Sequence, residues 1–344
     1  MLFLKRFFTG VLLILVSNSI HAAKPLPFKI GGFTETVFIV SDIDSYTTFF
    51  TKIAGWEVKN KHLDEKALKV FWQLPQTAKL TQRLVGNIGE ERGYIRLVQI
   101  NGVSQQRIRS NTQSWDTGGI FDINMRVTNM AKKFKQLQTL GWSADSDPVQ
   151  FSFGPFIVKE WIVTGPDGIS FALIERIKPT LEGWPNVKEF SRTFNSTQVV
   201  RNINTSTNFY REVLGFKPYL EHKGASSSPG KNVLGLPYNL TTDIERSVDI
   251  LHPDGINEGS IELLQFHGAV GKDVSHLAVP PNLGILTLRL PVDNLSALEK
   301  HLSLKGIQIV NTAQIHLPPY GLVDMLAIKS PDGNWLEFYQ SLPQ

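Results

Sequence analysis

Hydrophobic and polar positions along this chain follow a pattern that recurs. Over residues 33–40 apolar and polar residues alternate, which predicts a half-buried strand; over 42–53 the apolar spacing becomes that of a helix, closed by Gly55. Strand-like segments follow near 56–60, 70–74 and 93–100. The same order returns at 121–127, with a helix over 130–140 closed by Gly141 and strands near 149–151, 157–163 and 169–174. It returns at 197–202, with a helix over 205–214 closed by Gly215 and strands near 217–222, 247–252 and 260–266. The last copy has a strand at 285–290, a helix over 295–304 closed by Gly306, and strands near 307–311, 322–329 and 335–340. The pattern predicts an α+β protein built from four βαβββ modules.

The modules also pair at a longer period. Gly165-Pro166-Asp167-Gly168 and Ser330-Pro331-Asp332-Gly333 each precede an apolar run, and they lie 165 positions apart (333 − 168). Phe49-Phe50 matches Phe209-Tyr210, Gly55-Trp56 matches Gly215-Phe216, and Leu74-Pro75 matches Leu236-Pro237. So long a period predicts two tandem domains of one architecture. The expected limits are 30–177 and 195–342, with 178–194 as a linker whose Pro179, Gly183 and Pro185 suit that role.

Composition adds little to this picture except at the N-terminus. Lys5 and Arg6, an apolar stretch and small residues ending at Ala22-Ala23 predict a secretory signal over 1–23. Its removal takes the formal net charge from +4 to +2 (4 − 2), and no long basic run marks a nucleic-acid surface. The expected location is periplasmic or secreted, with no membrane contact after cleavage; an uncleaved signal acting as an anchor is the alternative. The absence of Cys excludes disulfides and thiolate metal sites, so stability must come from packing. Asn195, Asn204 and Asn239 stand in N-x-Ser/Thr sequons, a pattern that also arises by chance.

Four βαβββ copies with Pro-Asp-Gly turns before a last strand, most fully in Pro331-Asp332-Gly333-Asn334-Trp335-Leu336-Glu337, resemble the vicinal oxygen chelate superfamily. That group includes glyoxalase I, fosfomycin and bleomycin resistance proteins and extradiol dioxygenases. The resemblance covers about residues 30–342. It implies modules paired around a cleft that holds a divalent cation (Mg, Mn, Fe or Zn), with ligands from first and last strands. Carried over, those positions are Glu35, Arg96, Asp122 and Ala172 in the first half, and Asn195, Glu262, Ile285 and Glu337 in the second. Neither set contains His, a departure from the family pattern. His252, His267 and His316 lie near strand ends, and no His-x-His or His-Glu-x-x-His spacing occurs.

Strand alternation supplies the remaining candidates. In the first half Thr36, Phe38 and Val40 are expected under the helices, with Glu35, Val37 and Ile39 facing the cleft. Asp122, Asn124, Arg126 and Arg96 face it too, predicting a salt-bridged, metal-free pocket around Glu35, Arg96, Asp122 and Arg126, or a structural ion pair filling a dead site. In the second half Glu262 and Glu337 are expected side by side as metal ligands or catalytic acid–base groups, with an internal Glu262–Arg289 ion pair as the alternative. Arg289, Asn195, Thr197, Trp335 and Tyr339 would bind substrate, with Arg289 inward because Leu286, Leu288 and Leu290 take the packing face. Residues 223–230 would cover that cleft as a lid, or form a plain mobile loop, and 315–321 would make the opposite rim. The expected function is a divalent-metal-dependent lyase, isomerase or dioxygenase acting on a small oxygen-rich or aromatic molecule. The alternatives are a non-catalytic sequestering or sensing protein, and an interaction protein with vestigial clefts. The expected partner is a small molecule, not nucleic acid, and the chain would be a monomer or homodimer.

Overall fold

The computed structural model describes residues 25–60, 65–153 and 155–343, so the expected signal at 1–23 lies outside the described residues. Among these residues no helix is long and apolar enough to cross a membrane. Module 1 comprises β1 (Glu35–Ile39), α1 (Ile43–Thr48, continued by a π turn over Phe49–Ile53), β2 (Trp56–Asn60), α2 (Glu65–Phe71), β3 (Lys79–Asn87) and β4 (Tyr94–Asn101). Module 2 comprises β5 (Ile120–Val127), α3 (Met130–Thr139), β6 (Val149–Phe153), β7 (Phe156–Thr164) and β8 (Ser170–Lys178). Module 3 comprises β9 (Phe190–Val199), α4 (Ile203–Asn208, continued by a π turn over Phe209–Val213), β10 (Lys217–Gly224), β11 (Glu245–His252) and β12 (Ser260–His267). Module 4 comprises β13 (Gly284–Pro291), α5 (Leu295–Leu304), β14 (Ile309–His316), β15 (Leu322–Lys329) and β16 (Trp335–Ser341).

The repeated helices begin and end alike for a local reason. Asp42, Asn129, Asn202 and Asn294 each accept backbone N–H groups of the first turn. Gly55, Gly141, Gly215 and Gly306 all have φ between 70° and 77°, a region closed to most side chains. Two strand expectations differ from what forms. Residues 70–74 end α2 and its turn instead of making a strand, because Leu68 and Phe71 stand one helical turn apart and bury together. The strand of that module is β3. The segment read as part of the linker carries the first half of β9, which starts at Phe190.

The sixteen strands form two eight-stranded sheets, ordered β14-β15-β16-β13-β1-β4-β3-β2 and β10-β11-β12-β9-β5-β8-β7-β6. Modules 1 and 4 thus share an outer-module sheet, and modules 2 and 3 an inner-module sheet. This corrects the expectation that neighbouring modules within each half pair around a cleft. The joining pairs are antiparallel, β1 with β13 and β5 with β9. The crossed pairing sets Glu35 and Glu337 on either side of Arg289, one strand away on each flank. The connections 102–119 and 268–283 make the crossing side by side: Ile108 N donates to Leu283 O (2.8 Å), Leu283 N to Gln106 O (2.7 Å) and Thr117 N to Lys272 O (2.8 Å).

The two sheets and their helices enclose one apolar layer. Phe38 and Phe171, from different sheets, meet edge to face at 5.8 Å, and Trp142 stacks on Phe171. Ile123, Met125, Ile285, Leu288 and Leu290 also point into this layer. Leu286 does not. A bulge opposite Val37 and Phe38 turns it to the cleft face, correcting its expected place under the helices.

The two Pro-Asp-Gly turns tie one sheet to the other. Asp167 Oδ2 accepts from Ser41 N at 2.8 Å, and Tyr46 donates its hydroxyl to Pro166 O. Asp332 Oδ1 accepts from Arg201 N at 2.9 Å, and its Oδ2 accepts from Ser206 Oγ. Both aspartates are buried. Replacing Asp332 with Ala would leave the buried Ser206 hydroxyl and the part-buried Arg201 N–H without their acceptor, so we expect a loss of about 2 kcal/mol. Chemical denaturation checks this, and Asp332→Asn should recover part of the loss.

Candidate functional site

The cleft faces of the two sheets have opposite fates. In the outer-module sheet Glu35, Arg289 and Glu337 form one row across β1, β13 and β16. Arg289 donates from Nε to Glu337 Oε2 at 2.7 Å and from Nη1 to Glu35 Oε1 at 2.6 Å. Arg96 donates from Nε and Nη2 to the two oxygens of Glu35, and from Nη2 to Pro318 O at 2.8 Å. Two indoles finish the cluster: Trp72 Nε1 donates to Glu337 Oε1 at 2.7 Å and Trp335 Nε1 to the same atom at 3.1 Å. All four charged side chains are 0% exposed. Burial alone would raise the Glu35 carboxyl, but Arg96 and Arg289 hold it below its ordinary value. Around this network α2 brings in Leu68 and Phe71, which pack with Trp72, Met325 and Tyr339. Tyr320 lies tilted on Tyr339, their centroids 4.6 Å apart, and Thr34 bonds the Tyr339 hydroxyl at 3.0 Å. This face is a filled core.

The inner-module sheet carries an open cavity of about 330 Å³. The equivalent row here is Asn195, Asn124 and Ala172, counted from Glu35 (35 + 160), Arg289 (289 − 165) and Glu337 (337 − 165). Amides and a methyl group stand where the other sheet has charges, and among the described residues no helix comparable to α2 enters. Asn124 Nδ2 donates to Asn195 Oδ1 at 2.7 Å, and Asn195 Nδ2 to Ser260 Oγ at 2.7 Å. One step along the strands, Asp122, Thr197 and Glu262 form a second row across β5, β9 and β12. A third row runs Glu160, Ile174 and Arg126 across β7, β8 and β5. Phe121, Phe156, Phe194, Leu220 and Leu264 supply apolar wall.

None of the three cavity carboxyls has an ion pair within reach, and each is pushed up. Asp122 rises to about 7 through burial, opposed by the Thr197 hydrogen bonds and by Arg109, and its Oδ1 has no partner. Glu160 rises to about 7 through burial and the nearby Asp122, opposed by Arg126. Glu262 rises to about 8 through burial, Asp122 and Glu160. Glu160 and Glu262 are only half-buried by exposed area, since they face the cavity, so cavity water moderates the cost of ionising them. Near neutral pH these groups exchange protons readily.

The expected constellations are therefore redistributed. Glu262 lies in the inner-module cavity, while Glu337, Arg289, Trp335 and Tyr339 are sealed in the outer-module core, so Glu262 and Glu337 do not share a cleft. Arg289 does not anchor a substrate: both carboxylates it touches are protein groups. The pocket expected around Glu35, Arg96, Asp122 and Arg126 is divided between the sheets, because β1 continues into β13 and β5 into β9. Asn195, Thr197, Asp122 and Arg126 line the cavity. Asn195 is buried, which removes it as a glycan acceptor. Ile285 points into the apolar layer instead of a cleft. Of the loop after β10, Val233 and Leu234 reach the cavity. Residues 315–321 belong to the outer-module core through Ile315 and Leu317. His252 is buried away from the cavity and accepts from Asp254 N, His267 bonds Ser247, and His316 is exposed; His222 stands at the cavity's edge. Glu160 and Arg176 were missed, although alternation continued along β7 and β8 places them on the cleft face.

The donor set does not fit a divalent cation. Among the described residues no three His, Asp or Glu side chains gather to hold an ion. Ala172 offers carbon at one ligand position, and the Asn195 oxygen already accepts from Asn124. In the outer-module sheet Arg96 and Arg289 take the place of a cation.

Residues 193–338 match the family described as the Glyoxalase/Bleomycin resistance protein/Dioxygenase superfamily. No curated protein matches the chain. Among solved structures, glyoxalase I from Zea mays is 16% identical with a TM-score of 0.60, covering 91% of this chain and 93% of that one. A point variant of the maize enzyme is 15% identical with a TM-score of 0.58, covering 92% and 94%. A protein of Bacillus subtilis subsp. subtilis str. 168, provisionally assigned as a dioxygenase, is 12% identical with a TM-score of 0.54, covering 92% and 86%. At these identities the likeness is one of fold.

Proposed function

We propose that this chain, whose residues 193–338 match the Glyoxalase/Bleomycin resistance protein/Dioxygenase superfamily, belongs to that superfamily and takes a small, partly aromatic, oxygen-bearing molecule into the inner-module cavity. One contrast carries the reading. Equivalent rows of the two sheets hold a sealed Glu–Arg–Glu triple on one side and Asn, Asn and Ala beside an open cavity on the other. A cavity of this size with apolar walls and a few convergent polar groups suits one small ligand. We place the protein outside the cytoplasm, with its first 22 or 23 residues removed; the intact mass of exported protein tests that.

The ligand reading is tested by native mass spectrometry on protein isolated from its own compartment, beside Ala172→Phe. Ala172 lies in the middle of the cavity floor, and a ring there occupies ligand space. The wild-type chain should carry a small-molecule mass that Ala172→Phe loses while keeping its fold. Equal retention by both proteins would overturn the proposal.

The raised carboxyls favour a second reading, acid–base turnover without a bound ion. Glu262, holding its proton near neutrality, would donate it to a ligand oxygen as charge develops there. Asp122 or Glu160, ionised for part of the time, would take a proton from a neighbouring carbon. Such chemistry exchanges a ligand C–H for deuterium in heavy water, and Glu262→Gln should stop that exchange without stopping binding.

A further inference from the structure

We propose that the inner-module cavity selects organic carboxylates, seating the anion on Arg126 and Arg176 and the body of the molecule against Phe156 and Phe194. The inference deepens the small-molecule reading above and rests on it. Arg126 is only 9% exposed, yet its guanidinium has no hydrogen-bond or ion-pair partner among the described residues, and its Nε is a buried donor left unmatched. It lies over the Phe194 ring at 4.5 Å and near Trp184 at 5.8 Å. Arg176 lies 4.0 Å over Phe156, and its Nε is also unmatched. The two cations repel one another; Glu160 and Tyr219 oppose that repulsion for Arg126 without pairing to it. Nearby Glu258 is held by Arg92 and Arg192.

A buried arginine without a counter-ion is costly, so the missing anion is the natural occupant of the space it faces. Both arginines line the inner-module cavity and an adjoining recess beside Trp184, which places them at its mouth. Each guanidinium lies over an aromatic ring, and a guanidinium fork suits two-point binding of a planar carboxylate. The opposite end carries Asp122, four residues back along β5 and so about 13 Å away between Cα atoms. Less the reach of both side chains, that span admits a single ring or a short chain. Protonated carboxyls at that end donate hydrogen bonds to a ligand oxygen instead of repelling the molecule.

The test uses the full chain in titration calorimetry at pH 6.5 with three matched pairs: benzoate and benzamide, 3-phenylpropanoate and its amide, hexanoate and hexanamide. At least one carboxylate should bind about tenfold or more tightly than its amide. In Arg126→Met, which keeps the stem on Phe194, that advantage should vanish while amide binding persists. Thermal unfolding of Arg126→Met should move upward, since an unpaired buried charge has gone; a structural arginine would give a downward shift, which would count against the proposal. Equal binding of acid and amide, both lost in Ala172→Phe, would overturn carboxylate selection and leave the small-molecule reading standing. No binding by any member of the panel would overturn both.

Discussion

Arg289→Ala should cost about 3–5 kcal/mol of stability, the range for breaking a buried ion pair by removing one partner. The variant strands Glu337 with indole donors alone and leaves Glu35 with Arg96 alone, both fully buried. The measurement is the shift in urea midpoint at pH 7, and a loss below about 1 kcal/mol would contradict the reading of a sealed charge network. Replacing Glu35, Arg96, Arg289 and Glu337 together with apolar residues of similar volume should restore most of the stability. Ligand occupancy of the inner-module cavity, counted per folded molecule, should not change in Arg289→Ala, because none of the four charges lines it. The depressed Glu35 carboxyl sets the sign of the acid response. Its contribution is present above the ordinary carboxylate range and is lost as pH falls below it.

Glu262→Gln should act the other way and on the alkaline side. The native state holds the Glu262 proton up to about pH 8, whereas the unfolded chain releases it near 4.5. Stability attached to this group is therefore full below pH 4.5 and declines as pH rises through 8. Asp122 and Glu160, both raised to about 7, add decline that ends as pH rises through about 7. The variant should match wild type at pH 5 and be more stable at pH 9, by on the order of 2–3 kcal/mol once cavity water is allowed for. Denaturation curves at both pH values check this. A variant less stable than wild type at pH 9 would show that the ionised carboxylate is held by a favourable partner, which would remove the basis for proton transfer at Glu262.

These two responses express one asymmetry. The same βαβββ unit, used four times, makes a scaffold on one side and a cavity on the other through a few side chains at matching points. Glu337 fills the place that Ala172 leaves open. Arg96 ends in a salt bridge, whereas Glu262, paired with the matching first strand, ends in a cavity without a base. The stretch between the second and third strands of module 1 folds as α2 and plugs the outer-module face. The corresponding stretch of module 3 stays a loop and contributes Val233 and Leu234 to the cavity wall.

Local physics made much of this protein legible in its residues. Alternation marked β1, β5 and β12; the glycines that close the repeated helices marked their ends; and the Pro-Asp-Gly turns marked the period. Those features depend on neighbours within a few positions, so the chain alone determines them. Which module joins which was not legible, because four similar copies satisfy the same local rules in either arrangement. Only the tertiary structure decided that β1 pairs with β13 and β5 with β9, with the two long connections crossing together. That choice moved Glu262 away from Glu337 and toward Asp122 and Glu160, and so determined which face is core and which is open to a ligand.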